Sequence, residues 1–388
     1  MVDPSFLGFP RRFGRAGVRN HVLVLGINGL VAPAASQAAA RIAGSRLVAT
    51  PYGRGQFGAD KALHFLQLAG IGANPNNGAV LIVGADRKSA DAVAEAIAQR
   101  SPAPVEAVTL DDTQEDAHEL VARAVRAGTR LAREASHGRR VRLPLSELYL
   151  GLECGHSDAS SGLAANPLAG AVADRLVEAG ATCVVGETLE WLGAEDALSA
   201  RGADGTIGRR IAAAVMARER AVTAAGVDLL GDNPGEENIR GGLSTIEEKS
   251  LGAIAKAGRH PVTDMLGFAQ PPSGRGLHLM DGPSYSPESM TGFVASGTQM
   301  ILFTTGPGNS YCSLIAPTFK LSANPAACAR LDGQLDFDAG AVLQGRLSLD
   351  AAAGHLLAEL IAVASGTLTW GEAAGQGAEC FTRIGPSL

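Results

Sequence analysis

The stretch of sequence that decides the fold is HVLVLGI at residues 21–27. It is short and rich in Val and Leu, and the Ala-rich residues 32–43 that follow it are predicted to form a helix. The same alternation recurs at residues 80–83 (VLIV), which precede the helix-like residues 89–100. Strands that alternate with helices favour a parallel sheet with helices on its faces.

A second series of strands and helices begins at residues 147–152 (ELYLGL), after the basic segment HGRRVR at residues 137–142. A chain of 388 residues usually contains more than one domain, because single cores stop growing near 250 to 300 residues. The sequence therefore predicts the α/β class with two Rossmann-like parallel-sheet domains and flanking helices. We expect the first domain to span residues 1–142 and the second to span residues 143–388.

Composition excludes several classes of protein. The 33 Lys and Arg residues against 39 Asp and Glu give a formal charge of −6, which disfavours nucleic-acid binding but permits a small anionic substrate. Five cysteines do not resemble a disulfide framework. The chain contains no run of 18 apolar residues and opens without the apolar core of a signal peptide. We expect a cytoplasmic protein with no membrane partner.

The residues VLGINGLVAP at 24–33 lie where a dinucleotide-binding turn would follow the first strand. Their glycine spacing differs from GxGxxG, in which each glycine has a separate role in pyrophosphate approach and helix packing. We therefore expect no NAD. The sequence also has neither HExxH nor CxxC, so no local motif supports a zinc site.

The segment LECGHSDASSGLAANP at residues 152–167 carries the densest set of polar side chains after a strand. It is either a ligand-binding strand end or a turn whose Asp, Ser and Asn residues cap the next helix. Glu187, Glu190 and Glu195 form an acidic group that either binds a divalent metal or is a solvated helix face.

Two further segments carry alternatives of the same kind. Ser244 and Glu247 match a capping box, while Lys249 in the same segment could neutralise an anionic substrate or act as a base. FTTGPGNS at residues 303–310 is either an anion-binding nest or a plain strand-to-loop turn.

Taken together, these segments resemble the altronate/galactarate dehydratase family, whose related members include the large subunit of sulfolactate sulfo-lyase. The resemblance covers essentially the whole chain and is strongest over residues 147–324. It rests on several motifs in one order: GRAGVRNHVLVL, LECGHSD, SGLAANP, ETLEWLGAE, DNP, GGLSTIEEKSLGA, MDGPSYSPESMTG, ASG, FTTG and SANP.

The resemblance implies a hydro-lyase that removes water from a sugar acid or related 2-hydroxy acid to give a 2-keto-3-deoxy acid. Elimination of sulfite from sulfolactate is the alternative reaction within the family. Removing a weakly acidic proton next to a carboxylate requires stabilisation of enolate-like charge. A divalent cation, Fe²⁺, Mn²⁺ or Mg²⁺, is accordingly implied as a cofactor.

The resemblance also implies a set of site residues. Besides the residues assigned roles below, the matching motif positions include Glu190, Glu195, Asp232 and Asn233. We expect the catalytic residues to be Lys249, Glu248, Glu153 and Asp158. The expected cation ligands are Glu153, Asp158 and Glu187. The expected substrate-binding residues are Arg19, Ser157, Asn166, Thr304, Thr305, Lys320, Arg54 and Arg87.

The chain departs from the family pattern in its first domain. Three cysteines typical of relatives are replaced by Gly29, Arg54 and Arg87, and an associated histidine is Thr50. Neither Arg nor Gly can supply a thiolate ligand, so we expect no iron–sulfur cluster. The two arginines either form a pocket for an anionic group or are surface replacements. A glycine expected in the second domain is His156.

The resemblance begins near residue 14, so the small amino-terminal domain of the fused dehydratases is not expected in this chain. We therefore expect a separate small subunit as a partner, and a homo-oligomer. Two alternatives to a typical family lyase remain. One is a non-catalytic ligand-binding relative, and the other is an enzyme with altered chemistry based on Arg54, Arg87 and His156.

Overall fold

The computed structural model describes residues 5–227, 229 and 233–385 of the chain. The first part of the chain alternates strands and helices, as the sequence predicts. Its strands are β1 (Ser5–Gly8), β2 (His21–Gly26), β3 (Ser45–Ala49), β4 (Asn77–Gly84), β5 (Val105–Thr109) and β6 (Val141–Pro144). Its helices are α1 (Ala32–Ala39), α2 (Gly58–Gly72), α3 (Arg87–Ala98) and α4 (Ala117–Ala135).

The second part of the chain is also built from strands and helices in alternation. Its strands are β7 (Tyr149–Cys154), β8 (Thr182–Val185), β9 (Val262–Leu266), β10 (Gly276–Met280), β11 (Met300–Thr305), β12 (Thr318–Ser322) and β13 (Phe337–Asp338). Its helices are α5 (Asn166–Glu178), α6 (Glu195–Ser199), α7 (Gly205–Ala224), α8 (Glu236–Arg240), α9 (Ile246–Ile254), α10 (Ser286–Ser296), α11 (Pro325–Arg330), α12 (Gly340–Leu343), α13 (Leu349–Ala364) and α14 (Trp370–Ala373).

Two parallel sheets organise these elements, which confirms the predicted α/β class. The first sheet has the order β3-β2-β4-β5, and the second has the order β13-β12-β11-β7-β8-β10-β9. All neighbouring strands within each sheet are parallel. We call the first sheet with α1 to α4 the first unit, and the second sheet with α5 to α14 the second unit.

The strand order of the second sheet creates a crevice beside its central strand. From β7 the chain moves to β8 on one side, whereas β11 pairs with the other side of β7 and leads outward to β12 and β13. Connections that leave neighbouring strands in opposite directions open a crevice at the carboxyl ends of those strands. The polar segments that follow β7 and β11 lie at this crevice.

The two units share apolar packing. One buried cluster contains Leu25 and Ile71 of the first unit together with Val294 and Phe303 of the second. Near the amino terminus, Phe6 packs into the core of the second unit, and β1 pairs with β6. The boundary between residues 142 and 143 remains a prediction.

The strands quoted from the sequence at residues 21–27, 80–83 and 147–152 correspond to β2, β4 and β7. The edge strands β3 and β9 were not predicted, because polar side chains such as Arg46 and Asp264 interrupt their apolar residues. The basic segment at residues 137–142 overlaps the start of β6. Within the described part of the chain, no helix is long and apolar enough to cross a membrane.

Packing between the units depends on a glycine in α2. A Cβ atom added to Gly70 would lie 2.1 Å from the carbonyl oxygen of Ala295 in α10. We expect Gly70→Ala to lower the free energy of unfolding by about 1–3 kcal/mol, because the two helices must move apart. Urea denaturation measures this change.

Gly205→Ala is the matched control, because its added Cβ lies 3.5 Å from the flexible end of Arg209. We expect that change to alter the unfolding free energy by no more than about 0.5 kcal/mol. Equal stability of Gly70→Ala and the wild type would show that α2 and α10 do not require this close approach.

Candidate active site at the strand ends

A cavity of about 710 Å³ lies at the carboxyl ends of β7 and β8. We call it the strand-end cavity. Its walls come from the loops after β7, β8 and β11, from the segment before α10, and from the region of α7 to α9. The polar residues that line it include Cys154, His156, Ser157, Glu187, Glu190, Asn233, Lys249, Ser286, Asn309, Ser310 and Tyr311.

Two non-glycine residues with left-handed backbone line this cavity. His156 has φ of 56° and Glu187 has φ of 66°. Such a conformation costs on the order of 1 kcal/mol or more, and residues that adopt it often cluster at functional sites. At Glu187 it turns the chain from β8 into the 3₁₀ helix Thr188–Trp191, so that Glu187 and Glu190 both reach the cavity.

A buried ion pair lies at the base of the cavity. Lys256 Nζ is 2.9 Å from Glu190 Oε2 and 2.8 Å from Cys154 Sγ, and the Lys256 side chain is 1% exposed. Burial alone would raise the pKa of Glu190, but Lys256 and Lys249 lower it to about 2. Burial alone would lower the pKa of Lys256, but its acidic neighbours raise it well above its usual value. Both groups are therefore charged at neutral pH.

The pKa values of the neighbouring carboxyls are shifted in the opposite direction. Burial and the charges of Glu153 and Glu190 raise the pKa of Glu187 well above its usual value. Burial also raises the pKa of Glu153, whose Oε2 accepts a hydrogen bond of 2.6 Å from Ser289. Glu187 Oε2 has no hydrogen-bond partner among the described residues. A carboxyl whose protonated form is favoured by burial and by its neighbours therefore forms part of the cavity wall.

Cys154 completes this group, which we call the acidic cluster: Glu153, Cys154, Glu187, Glu190 and Lys256. Burial raises the pKa of the Cys154 thiol to about 12, and the carboxylate of Glu190 contributes to the rise. The carboxylate of Glu190 and the ammonium of Lys256 compensate each other within the cluster.

Lys249 is the amine that faces the cavity from α9. Its Nζ lies 3.6 Å from Glu190 Oε1 and donates to Asn233 Oδ1. The side chain is 14% exposed, so it is accessible from the cavity while remaining close to the acidic cluster.

Five of the predicted site residues line the strand-end cavity: Ser157, Glu187 and Lys249, to which the sequence assigned roles, and the motif positions Glu190 and Asn233. Glu153 lies behind them and contacts Glu187 and Ser289. The backbone carbonyl of Ser157 accepts a hydrogen bond from Asn238 Nδ2. Asp232 lies outside the described residues.

Asp158 is engaged in holding the loop after β7. Its Oδ1 accepts hydrogen bonds from Ser160 and from the backbone of Ser161, and its Oδ2 accepts one from Asn324. It does not join the group of residues close enough to share a metal ion, so the predicted cation-ligand role for Asp158 finds no support in this geometry.

Three predicted substrate-binding residues form internal contacts. Thr304 Oγ1 donates to Asn166 Oδ1 at 2.6 Å, and Asn166 Nδ2 donates to the carbonyl oxygen of Gly252. Thr305 Oγ1 accepts a hydrogen bond from the backbone of Gly308. These contacts tie α5 and α9 to the end of β11 and shape the crevice rather than line it.

The remaining predicted residues lie away from the cavity walls. Arg19 forms a two-pronged ion pair with Glu372 at 2.7 and 2.8 Å. Lys320 is buried on β12 beside Asp336, and Arg54 is exposed. Arg87 forms ion pairs with Asp91 and Asp112 of its own unit. This arrangement favours the interpretation of Arg87 as a surface replacement over a pocket for an anionic group.

Glu248 serves as a helix cap. Its Oε2 accepts hydrogen bonds from the backbone and hydroxyl of Ser244, and Thr245 is the N-cap residue of α9. The predicted capping box at Ser244 and Glu247 is therefore wrong by one residue. The cap directs Glu248 to solvent and leaves Lys249, the next residue, to face the cavity.

Sequence reasoning missed Lys256 and the role of Cys154. Lys256 follows α9 in an Ala-rich 3₁₀ helix, Ala255–Ala257, and no motif marks it. It is 102 residues from Cys154, so their contact depends on the packing of α5 against this segment. Glu190 was one member of an acidic group with two interpretations, and its burial decides against a solvated face.

The donors in the acidic cluster fit a divalent cation. Cys154 Sγ and carboxylate oxygens of Glu187 and Glu190 lie within 4.8 Å of one another, and all three residues are buried. A thiolate with two carboxylates suits Fe²⁺ or Mn²⁺ better than Mg²⁺. With both protons lost, three negative charges would balance the cation and Lys256. The unpartnered oxygen of Glu187 is a free acceptor for such an ion.

Comparison with protein families finds two matches that together span both units. A model described as the C-terminal domain of D-galactarate/altronate dehydratase matches residues 145–387. A model described as the second domain of D-galactarate dehydratase/altronate hydrolase matches residues 8–136.

Individual relatives match over most of the chain. The (2R)-sulfolactate sulfo-lyase subunit beta of Chromohalobacter salexigens is 38% identical, over 98% of this chain and 97% of that protein. Altronate dehydratase of Bacillus subtilis is 30% identical, over 94% of this chain and 74% of that protein. Altronate dehydratase of Escherichia coli is 31% identical, over 87% of this chain and 70% of that protein.

The raised pKa of Glu187 predicts a pH-dependent effect of Glu187→Gln on stability. Above about pH 4.5 the unfolded chain releases this proton and the folded chain keeps it, so wild-type stability falls as pH rises. The glutamine variant lacks this loss. Its stability relative to wild type should rise by up to about 1.4 kcal/mol per pH unit until the folded carboxyl ionises.

Urea denaturation of both proteins at pH 5 and pH 8, in the presence of a chelator, measures the difference. Glu359→Gln, an exposed position on α13, is the matched control and should show no such trend. A stability difference for Glu187→Gln that does not vary with pH would contradict the protonated state assigned to Glu187.

Proposed function

Because the chain belongs to the D-galactarate/altronate dehydratase family, we propose that it is a lyase that removes water from a sugar acid or related 2-hydroxy acid. The product is a 2-keto-3-deoxy acid. The observation that supports this reaction best is a buried acidic cluster with a protonated carboxyl, next to a lysine that faces the same cavity.

The reaction requires three events at the substrate. The C–H bond at C2 and the C–O bond at C3 break, the C2–C3 double bond of an enol forms, and the enol becomes the 2-keto acid. Water carries away the hydroxyl and one proton. The protein must hold the carboxylate, accept the proton from C2 and assist the departing hydroxyl.

Lys249 and Glu187 are placed for these tasks. We assign acceptance of the C2 proton to Lys249, acting as the free amine from the wall of the cavity. We assign assistance to the departing hydroxyl to Glu187, a wall residue whose buried Oε2 has no hydrogen-bond partner among the described residues. Glu153 and Ser289 position Glu187, and Lys256 fixes the charge of Glu190.

We also propose that the acidic cluster holds a divalent cation. Cys154, Glu187 and Glu190 would be its ligands, which replaces the predicted set of Glu153, Asp158 and Glu187. When bound, such an ion would displace the proton of Glu187 and would supply Lewis-acid assistance to the departing hydroxyl in place of that proton. Glu153 and Lys256 would then act from outside the ligand set.

Elimination of sulfite is the second candidate reaction. Its support is the match to the sulfo-lyase subunit beta, which extends over 97% of that protein, whereas the matches to the two altronate dehydratases cover 74% and 70% of their lengths. Sulfite departs as a stable anion and needs less assistance from an acid than hydroxide does. The proton transfer at C2 is the same in both reactions.

The name of that relative also supports a separate small subunit as a partner. Assays with aldonates, aldarates and sulfolactate, with and without Fe²⁺, Mn²⁺ or Mg²⁺, distinguish the reactions. Keto-acid formation without sulfite supports dehydration, and release of sulfite supports the second candidate. The protein is assayed together with any small chain that co-purifies with it. Saturable binding of these acids without turnover would then favour a non-catalytic ligand-binding member of the family.

Lys249→Met tests the central assignment. We expect turnover to fall by about 10²- to 10⁴-fold, because the variant lacks the amine for proton transfer. The fold should be retained, since methionine keeps most of the side-chain length. Lys61→Met on the exposed face of α2 is the control and should keep wild-type turnover. Undiminished turnover of Lys249→Met would remove this residue from the mechanism.

Cation binding has a signature that does not depend on activity. At pH 7 the cluster holds protons on Cys154 and Glu187, so binding of Fe²⁺ or Mn²⁺ should release about two protons per ion. Calorimetry in buffers of different ionisation enthalpy measures this number. Glu187→Gln should release about one proton fewer, and Glu359→Gln should match wild type. Binding without proton release would contradict the assigned ligands.

A further inference from the structure

A second cavity, of about 260 Å³, lies between the two units at the opposite edge of the sheets. We call it the amino-end cavity, because many of its wall residues come shortly before strands. Arg100, Ser101 and Pro102 precede β5, Pro271 and Pro272 precede β10, and Ser296 and Gly297 precede β11. Its other walls are Arg11, Phe13, Gly14, Arg15, Ala73, Pro75 and Tyr149.

Three half-buried arginines line the amino-end cavity, and each donates hydrogen bonds to neutral acceptors. Arg11 donates to the carbonyl oxygen of Pro75 and to Asn20 Oδ1. Arg15 donates to Thr182 Oγ1 and to the carbonyl oxygen of Leu148. These contacts fix the guanidinium groups without neutralising them.

Arg100 is held in the same way, by one hydrogen bond of 3.1 Å to the carbonyl oxygen of Ala295. Arg15 also lies over the ring of Tyr149 at 5.5 Å, which orients its guanidinium plane. The Tyr149 hydroxyl is paired with Ser296 at 2.9 Å. The wall therefore combines fixed positive groups with a neutral phenol and a hydroxyl.

The guanidinium groups of this cavity form no ion pair with a carboxylate of the described residues. Among the described ion pairs, none joins Arg11, Arg15 or Arg100 to a carboxylate. Burial lowers the pKa of Arg11 to about 10 and also lowers that of Arg100. Burial also lowers the pKa of Arg15, against smaller opposing influences of Tyr149 and Glu147. Three positive groups that line one cavity are thus partly removed from water.

The arginines also keep unused hydrogen-bond donors. A guanidinium group has five N–H bonds in a planar fork. The described contacts use two of them on Arg15 and one on Arg100. Spare donors on fixed guanidinium groups match the paired oxygens of a carboxylate or phosphate group.

We propose that the amino-end cavity is a binding site for a small oxyanion, a carboxylate or phosphate metabolite free in solution, held by Arg11, Arg15 and Arg100. Its volume suits a ligand of a few carbon atoms, below the usual range of about 300–1,000 Å³ for larger ligands. Arg11 and Arg15 come from the start of the chain, and Arg100 comes from the first unit. Tyr149 and Ser296 belong to the second unit, so an anion bound in this cavity would bridge the two units.

This site is distinct from the strand-end cavity. The two cavities lie at opposite edges of the second sheet, whose strand β7 is six residues long, so about 20 Å of strand separates them. Their walls share no residue. The proposal therefore does not depend on the lyase reaction.

Binding of inorganic phosphate and of succinate to the whole protein tests the proposal. Titration calorimetry is done in the Lys249→Met background, so that a carboxylate held in the strand-end cavity does not contribute. We expect saturable binding of at least one probe. The double variant Arg15→Gln, Arg100→Gln should weaken that binding by about tenfold or more. Arg126→Gln, an exposed position on α4, should leave it unchanged.

Thermal unfolding supplies the second measurement. In buffer without phosphate or carboxylate, the double variant should be at least as stable as its parent, because two uncompensated charges are gone. The bound probe should raise the melting temperature of the parent but not of the double variant. Absence of saturable binding for both probes, or equal binding by parent and double variant, would overturn the proposal. Lower stability of the double variant with no effect of either probe would also overturn it.

Discussion

The candidate active site depends on a single buried charge pair, Lys256 with Glu190. Three carboxyls and a thiol share this small space, and one ammonium neutralises one of them. Burial of the others favours their protonated forms or the binding of a cation, because an isolated buried charge costs several kcal/mol. This balance acts most strongly on Glu187, a wall residue of the strand-end cavity whose buried Oε2 is unpartnered among the described residues. Metal binding and proton transfer are therefore two ways to change the charge of the same cluster.

The fold assembles this pair from segments far apart in sequence. Parallel strands β7 and β8 end at one edge, so the loops that carry Cys154 and Glu190 meet there. The packing of α5 against the 3₁₀ helix Ala255–Ala257 brings Lys256 to the same point. Gly170 in α5 permits this contact, because an added Cβ would lie 2.1 Å from the carbonyl oxygen of Ala255. Small residues in the helix layer are thus part of the construction of the site.

The sequence predicts the α/β class and the strand ends at which the site lies, because apolar runs followed by glycine and polar residues are local signals. It separates functional from structural polar residues poorly. Asp158 and Glu248 carry the same chemistry as Glu187, yet Asp158 caps a turn and Glu248 caps α9. Arg19 lies in a motif but pairs with Glu372, which is more than 350 residues away. Lys256 is the opposite case, a site residue that the sequence did not predict. Its acidic neighbours are brought to it only by tertiary packing.

In the first unit, the structure around the replaced family cysteines is incompatible with restoring them all. The thiols expected from the family resemblance are replaced at positions 29, 54 and 87. A side chain at Gly29 would place its Cβ 2.4 Å from the carbonyl oxygen of Pro51, so this backbone leaves no room for a cysteine there. Arg87 is paired with Asp112 and Asp91, and Thr50 Oγ1 accepts a hydrogen bond from the backbone of Tyr52. At positions 29, 50 and 87 the first unit therefore has close packing, a hydrogen bond and ion pairs in place of a thiol site, and the acidic cluster lies at the strand ends of the second unit.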